Sequence, residues 1–272
     1  HRLIRRQRQM CIRDRIYYVL RDNILRAKSQ FKDAIKMMQA FEYWFGPYPF
    51  YEDSFKIVEV PYLGMEHQSS ITYGNKYMKG YLGRDLSRTG WGLKFDYIII
   101  HEAGHEWFAN NITYKDIADM WIHESFTTYS ENLYLDYHYG KEAASEYVIG
   151  TRTSISNRSP IIGKYGVNFR GSDLYSKGAN ILHTLRQISR DDEKWRSILR
   201  GLNKEFYHQT VTTAQIENYI SNKMKNSIAC LQLSDEPDWV THPQQVLLQD
   251  SIARNAYPYA HTMTTLCRNV TF

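Results

Sequence analysis

The sequence predicts an α+β protein, mainly helical, with a small β portion near its N-terminal part. Three observations carry this. Long stretches repeat apolar residues at helical spacing, as Phe31, Ile35, Met38 and Phe45 do at intervals of four, three and seven. One segment, Phe55 to Val60, alternates as a strand does. The remaining strong signals are helix starts and stops rather than hairpin turns.

Taken in order, the first helix is expected from about Asn23 to Phe45, ended by Gly46-Pro47-Tyr48-Pro49. The strand Phe55–Val60 follows. Gly64-Met65-Glu66-His67-Gln68 interrupts it, and Ser69 to Tyr73 is expected to resume as an extended edge. Five glycines between residues 74 and 92 mark a loop. A helix is then predicted over Phe95–Asn110 with Asp96 as its cap, and another over Ile117–Tyr139 that stops at Gly140. Later helices are expected near 142–156, 175–189, 192–207 and 213–224. Ser172-Asp173, Asp191-Asp192 and Thr212-Thr213 serve as start signals for the last three.

Composition bounds the rest. At 272 residues and 43% hydrophobic, the chain is long enough to bury a sizeable core. Ile98-Ile99-Ile100, which no other aliphatic run exceeds, is far too short for a transmembrane segment. Residues 1–15 carry six Arg against one Asp, so the remaining chain balances at 28 basic and 28 acidic residues and the net +5 sits in this tail. We expect 1–15 to be a non-native basic tail, 16–225 the folded domain, and 226–272, which has no sustained period, an irregular and foreign-looking extension. The basic charge therefore implies no nucleic-acid partner. Cys11, Cys230 and Cys267 leave residues 12–229 without a disulfide framework or a cysteine metal site. Neither compartment nor oligomeric state is marked.

The chemistry is concentrated in His101-Glu102-Ala103-Gly104-His105, with 18 residues separating His105 from Glu124. Four residues apart on a helix, the two imidazoles leave one face a turn from each other. Two imidazoles and one carboxylate form a three-ligand set with an open position, as in a catalytic zinc site. Zn2+, one per chain, is thus expected on His101, His105 and Glu124. Glu102 is the expected general base, within reach of water in the open position. His123 points elsewhere, as a packing residue or a support for the ligands, and Trp107, Phe108, Trp121, Phe126 and Tyr129 are expected to pack around the two helices. Asn110 and Asp119 are candidates to orient a ligand imidazole.

Three separated motifs resemble the catalytic domain of the aminopeptidase N-type zinc metallopeptidases, the gluzincin family that also contains leukotriene hydrolase. They are the zinc motif, Gly64-Met65-Glu66-His67, and Asp173-Leu174-Tyr175-Ser176-Lys177-Gly178-Ala179. The resemblance covers roughly residues 30–225. It implies a thermolysin-like fold and peptide substrates with a free N-terminus. By resemblance, Glu66 binds the substrate's α-amino group, and backbone at Gly64 and Met65 runs along the substrate. Tyr175 donates a hydrogen bond to the oxyanion, while Lys177 lies at the helix surface or behind the site. His67 stands where the family has Asn. The family's N-terminal β-domain and C-terminal helical domain are expected to lie outside this chain. Rival readings are a thermolysin-like endopeptidase, an epoxide hydrolase of the leukotriene-hydrolase kind, and a non-catalytic zinc-binding fragment.

Overall fold

A computed structural model describes residues 15–158 and 160–224. The 226–272 extension and residues 1–14 of the basic tail lie outside them. Arg15, assigned to that tail, instead opens a strand.

The mainly helical α+β class is the one observed. A four-stranded sheet has the order β1 (Arg15–Tyr18), β2 (Phe55–Glu59), β4 (Ser70–Tyr73), β3 (Gly64–Met65). The first three are parallel, and β3 pairs antiparallel with β4, Gly64 opposite Tyr73 and Met65 opposite Thr72. The segment expected as an edge, Ser69–Tyr73, is therefore interior, and its residues 71–73 are buried. The edge is the two-residue strand β3, too short to leave an alternating pattern. A second, unanticipated sheet joins β5 (Ile112–Tyr114) to β6 (Gln209–Val211) in parallel.

The helices are α1 (Ile24–Gln30), α2 (Lys32–Phe45), α3 (Tyr97–Gly104), α4 (Trp121–Tyr139), α5 (Lys141–Thr151), α6 (Ser176–Ser189), α7 (Asp192–Glu205) and α8 (Thr213–Met224). The single helix expected over 23–45 breaks at Phe31, whose ψ of 3° is not helical. The buried face of α2 runs through Ala34, Met37, Met38, Phe41, Trp44 and Phe45, and leaves Ile35 exposed. Asp191 caps α7 by accepting from the Lys194 N–H at 3.0 Å. Thr212 and Gln215 form a reciprocal cap at α8: the Thr212 N–H donates to Gln215 Oε1 at 2.9 Å, and the Gln215 N–H to Thr212 Oγ1 at 3.4 Å. Asp173 does not start α6. It has φ 53°, and its carboxylate accepts from the Asn157 N–H at 2.7 Å and the Ser156 N–H at 3.1 Å.

Helix α4 sits at the centre, buried without interruption from Trp121 to Leu135, with α2, α3, α5 and α6 around it. Gly178 lets α6 approach closely, because a Cβ there would lie 1.7 Å from Ser125 Oγ. Aromatic packing fixes the metal-motif segment from the other side. Trp107 meets Phe41 edge-on at 5.6 Å, and Phe108 stacks on Phe126 at 4.5 Å. Trp121 and Tyr129 are also fully buried, as expected. Each such side chain stabilises the fold by about 1.5–3 kcal/mol.

One buried acid opposes this packing. Glu217 on α8 is 4% exposed, and neither carboxylate oxygen has a hydrogen-bond partner among the described residues. Burial, reinforced by the charge of Asp119, pushes its pKa from 4.5 up to about 8. The folded state thus holds a proton that the unfolded state releases near pH 4.5. Stability is full below that pH and falls as the pH rises through about 8. Glu217→Gln is expected to raise Tm at pH 9 by about 4–8 °C, on the order of 2 kcal/mol. At pH 4 it should leave Tm unchanged, and thermal melts at the two pH values check this.

Candidate active site

Asp96 starts the helix that carries the first histidine. Its carboxylate accepts from the Ile98 and Ile99 N–H groups at 3.1 and 3.3 Å, as an N-cap should. It also accepts from Gln30 Nε2 at 2.6 Å, Tyr73 OH at 2.7 Å and Asn75 Nδ2 at 2.9 Å. α1, β4 and the glycine-rich loop are thereby tied to the start of α3. Burial raises the Asp96 pKa to about 6 despite these donors.

The helix expected to reach Asn110 ends at Gly104. A wide, π-type turn follows over Glu106–Asn111, with Phe108 (φ −126°, ψ 75°) and Ala109 (φ 163°, ψ −57°) outside helical geometry. The Phe108 carbonyl, released from helix pairing, accepts from His105 Nδ1 at 3.1 Å. Neither proline nor glycine stands at Phe108–Ala109, and Gly104 lies inside the metal motif, so periodicity alone runs through the break.

His101, His105 and Glu124 converge with one ligand atom each within 4.8 Å of one another, all buried. Glu124 Oε2 lies 3.5 Å from Nε2 of each histidine. Tetrahedral coordination at ~2.0–2.1 Å spaces ligand atoms roughly 3.3–3.4 Å apart, so the set matches a zinc site. The outer hydrogen bonds point the same way. His101 Nδ1 faces the Glu131 carboxylate at 2.8 Å and His105 Nδ1 faces a carbonyl, so each Nδ1 carries the proton and each Nε2 presents a lone pair. Among the described residues, buried Glu124 Oε2 has no well-formed hydrogen bond, only the two long contacts to the imidazoles. Three lone pairs aimed at one point, one of them orphaned, need a cation.

Electrostatics place positive charge at the same point, as a second proton on each ring or as a metal ion that displaces it. Burial opposes protonation of both histidines, yet Glu124 for both, and Glu131 for His101, hold their pKa values above the ordinary range. Burial raises Glu124, but the two imidazoles outweigh it and pull it well below the usual carboxylate range. The pocket is built for positive charge.

Glu102 leaves the same helix, 8% exposed. Burial raises its pKa, the two imidazoles lower it, and the charges of Glu66 and Glu124 raise it. Glu66, Glu102 and His105 also bring ligand atoms within 4.8 Å of one another, which puts Glu66 beside the zinc site. β3 lies directly over Glu102: a Cβ on Gly64 would fall 3.2 Å from Glu102 Oε1 and 2.7 Å from Ile98 Cγ2. Met65 is exposed beside it, as is His67. Tyr175 stacks on His101 at 6.1 Å and is 42% exposed. Burial and the nearby Glu124 raise its pKa, so the phenol keeps its proton.

Several expectations change. Asn110 does not orient an imidazole; its Nδ2 donates to the Glu66 carbonyl at 2.9 Å. Asp119 accepts from Thr213 Oγ1 at 2.6 Å and Tyr165 OH at 2.7 Å, away from both ligand rings. Lys177 is 1% exposed rather than on the surface, and burial lowers its pKa to about 8. His123 is not among these changes: it is buried, in line with its expected packing role, its Nε2 accepts from the Tyr114 N–H at 2.9 Å, and burial lowers its pKa to about 3.

The group that does orient His101 is Glu131, not identified from the sequence. Its other oxygen accepts from Tyr147 OH at 2.5 Å. The available signal was its position, seven residues after Glu124 and so on the same face of α4. Tyr97, four residues before His101, stacks on that imidazole at 5.1 Å. Thr127 Oγ1 lies 3.0 Å from His105 Nδ1. Glu131→Gln is expected to weaken zinc binding by about 10–100-fold, measured by competition with a chromophoric chelator.

Comparison with known proteins agrees with this geometry. Residues 29–235 match the peptidase family M1 domain. Leucyl aminopeptidase of Saccharolobus solfataricus is 24% identical over 226 residues, covering 79% of this chain and 28% of that protein. The leukotriene A4 hydrolase structure from Saccharomyces cerevisiae superposes with a TM-score of 0.68 at 18% identity, covering 84% of this chain and 37% of that one. An M1 zinc metallopeptidase from Deinococcus radiodurans gives 0.53 at 23% identity, covering 71% of this chain and 40% of that one. The chain thus spans well under half the length of these relatives. With the family domain matched across most of its length and the motif residues gathered in one pocket, the chain belongs to peptidase family M1.

Proposed function

We propose that this chain is the catalytic portion of a zinc-dependent aminopeptidase, which hydrolyses the N-terminal bond of peptides with a free amine. The observation that carries the reading is the Glu66 carboxylate beside Glu102 and His105. A carboxylate at fixed distance from the metal pairs with an ammonium and admits only the first peptide bond. The names of similar proteins support the aminopeptidase reading.

His101, His105 and Glu124 would hold the metal. Zinc held there would lower the pKa of a bound water towards about 7 and polarise the scissile carbonyl. Glu102 takes a proton from the attacking water and returns it to the departing amine. The Tyr175 phenol, kept protonated, donates to the oxyanion as charge develops on it. Unpaired on its outer side among the described residues, β3 offers Gly64 and Met65 backbone to an extended substrate, which would lie along it as an added strand.

Removing metal with a chelator is expected to abolish hydrolysis of an aminoacyl anilide, and one equivalent of zinc to restore it. Stoichiometric zinc with no hydrolysis would instead favour the non-catalytic reading.

A further inference from the structure

The proposed amine-binding carboxylate belongs to a loop, whereas the zinc ligands lie on α3, just past its end and on α4. Something must set the distance between them. The wide turn after His105 brings two side chains to the underside of that loop, one at each end of the segment 66–69. Asn110 Nδ2 donates to the Glu66 carbonyl at 2.9 Å. Glu106 Oε1 accepts from the Ser69 N–H at 2.7 Å, and Oε2 accepts from Tyr48 OH at 3.0 Å. Glu106 is fully buried and Ser69 nearly so, with Ser69 at φ 55°.

These contacts differ from ordinary packing in three ways. Both come from the six residues that directly follow the second metal ligand, so the clamp and that ligand share one short segment. Both hold main-chain atoms of the loop, so they fix its path and leave the Glu66 carboxylate free for a ligand. The turn that makes the clamp possible is the departure from helical geometry at Phe108 and Ala109, and without it Asn110 would lie elsewhere on the helix.

We infer that Glu106 and Asn110 are positioning residues, which set the distance between the Glu66 carboxylate and the metal and so give the site its preference for a free amine. This rests on the aminopeptidase reading above and adds two residues to it. Neither touches the substrate; both act through Glu66.

Binding separates this role from a structural one. The probes are leucine hydroxamate and its N-acetyl analogue, titrated calorimetrically into the zinc-loaded chain. Both chelate zinc, but only the first carries an ammonium. Asn110→Ala and Glu106→Ala are expected to raise the Kd of the free-amine probe about fivefold, from loss of geometry at a charge-assisted contact. The N-acetyl analogue should bind as before, with zinc still stoichiometric. Glu106→Gln retains an acceptor for the Ser69 N–H and should behave as the parent. Asn110 is half-buried and, with Glu66 and Gln68, borders an open cleft of about 530 Å³, so its truncation leaves a solvated gap and decides the matter if Glu106→Ala does not fold. An unchanged ratio of the two Kd values in the alanine variants, or equal weakening of both probes, overturns the inference. A parent chain that itself fails to distinguish the probes overturns the aminopeptidase reading, and this inference with it. Discrimination lost in Glu66→Ala but kept in Asn110→Ala overturns the clamp alone.

Discussion

Glu102→Gln is expected to lower kcat by about 10²–10⁴-fold while zinc stays at one per chain. The amide keeps the volume of the carboxylate under β3 and beside Gly64, so the fold and the ligand set are undisturbed. What it loses is the ability to take a proton from water. Glu102 is not among the three convergent ligands His101, His105 and Glu124, which is why metal content and activity should separate in this variant. Metal analysis alongside steady-state kinetics checks it. A parallel fall in zinc content would mean that Glu102 holds the metal rather than serving as the base.

Glu66→Ala is the second large effect. Removing the carboxylate beside Glu102 and His105 takes away the group proposed above to pair with the substrate ammonium. Hydrogen bonds to charged groups contribute about 1.5–3 kcal/mol, so kcat/KM for free-amine substrates should fall about ten- to a hundredfold. N-acetylated substrates should not fall further, and zinc affinity should hold. A thermolysin-like endopeptidase would be indifferent to the change. The same assay therefore separates the two readings.

The zinc site was legible because its signal is local. His101 and His105 share a helix face by spacing alone, and Asp96 marks where that helix begins. Gly140, Asp191 and the Thr212/Gln215 pair likewise sit where short-range rules put helix ends. What stayed hidden depends on tertiary contacts. Glu131 looks like any acid on an amphipathic helix until α5 brings Tyr147 against it and α4 proves buried on all sides. Asn110 reads as the end of a continuing helix until the turn at Phe108 swings it beneath Glu66. The pairing of β5 with β6 joins three-residue strands nearly a hundred residues apart, and nothing in either strand names the other. Ser69–Tyr73 read as an edge because β3, the true edge, is two residues long.

Digesting a decapeptide and its N-acetylated twin with the zinc-loaded chain, and following the products by mass spectrometry, shows whether one zinc centre bounded by Glu66 cleaves only the first peptide bond. Stepwise loss of N-terminal residues is expected from the free peptide, with the acetylated twin left intact. Internal cleavage of both peptides would instead mark an endopeptidase and overturn the aminopeptidase reading.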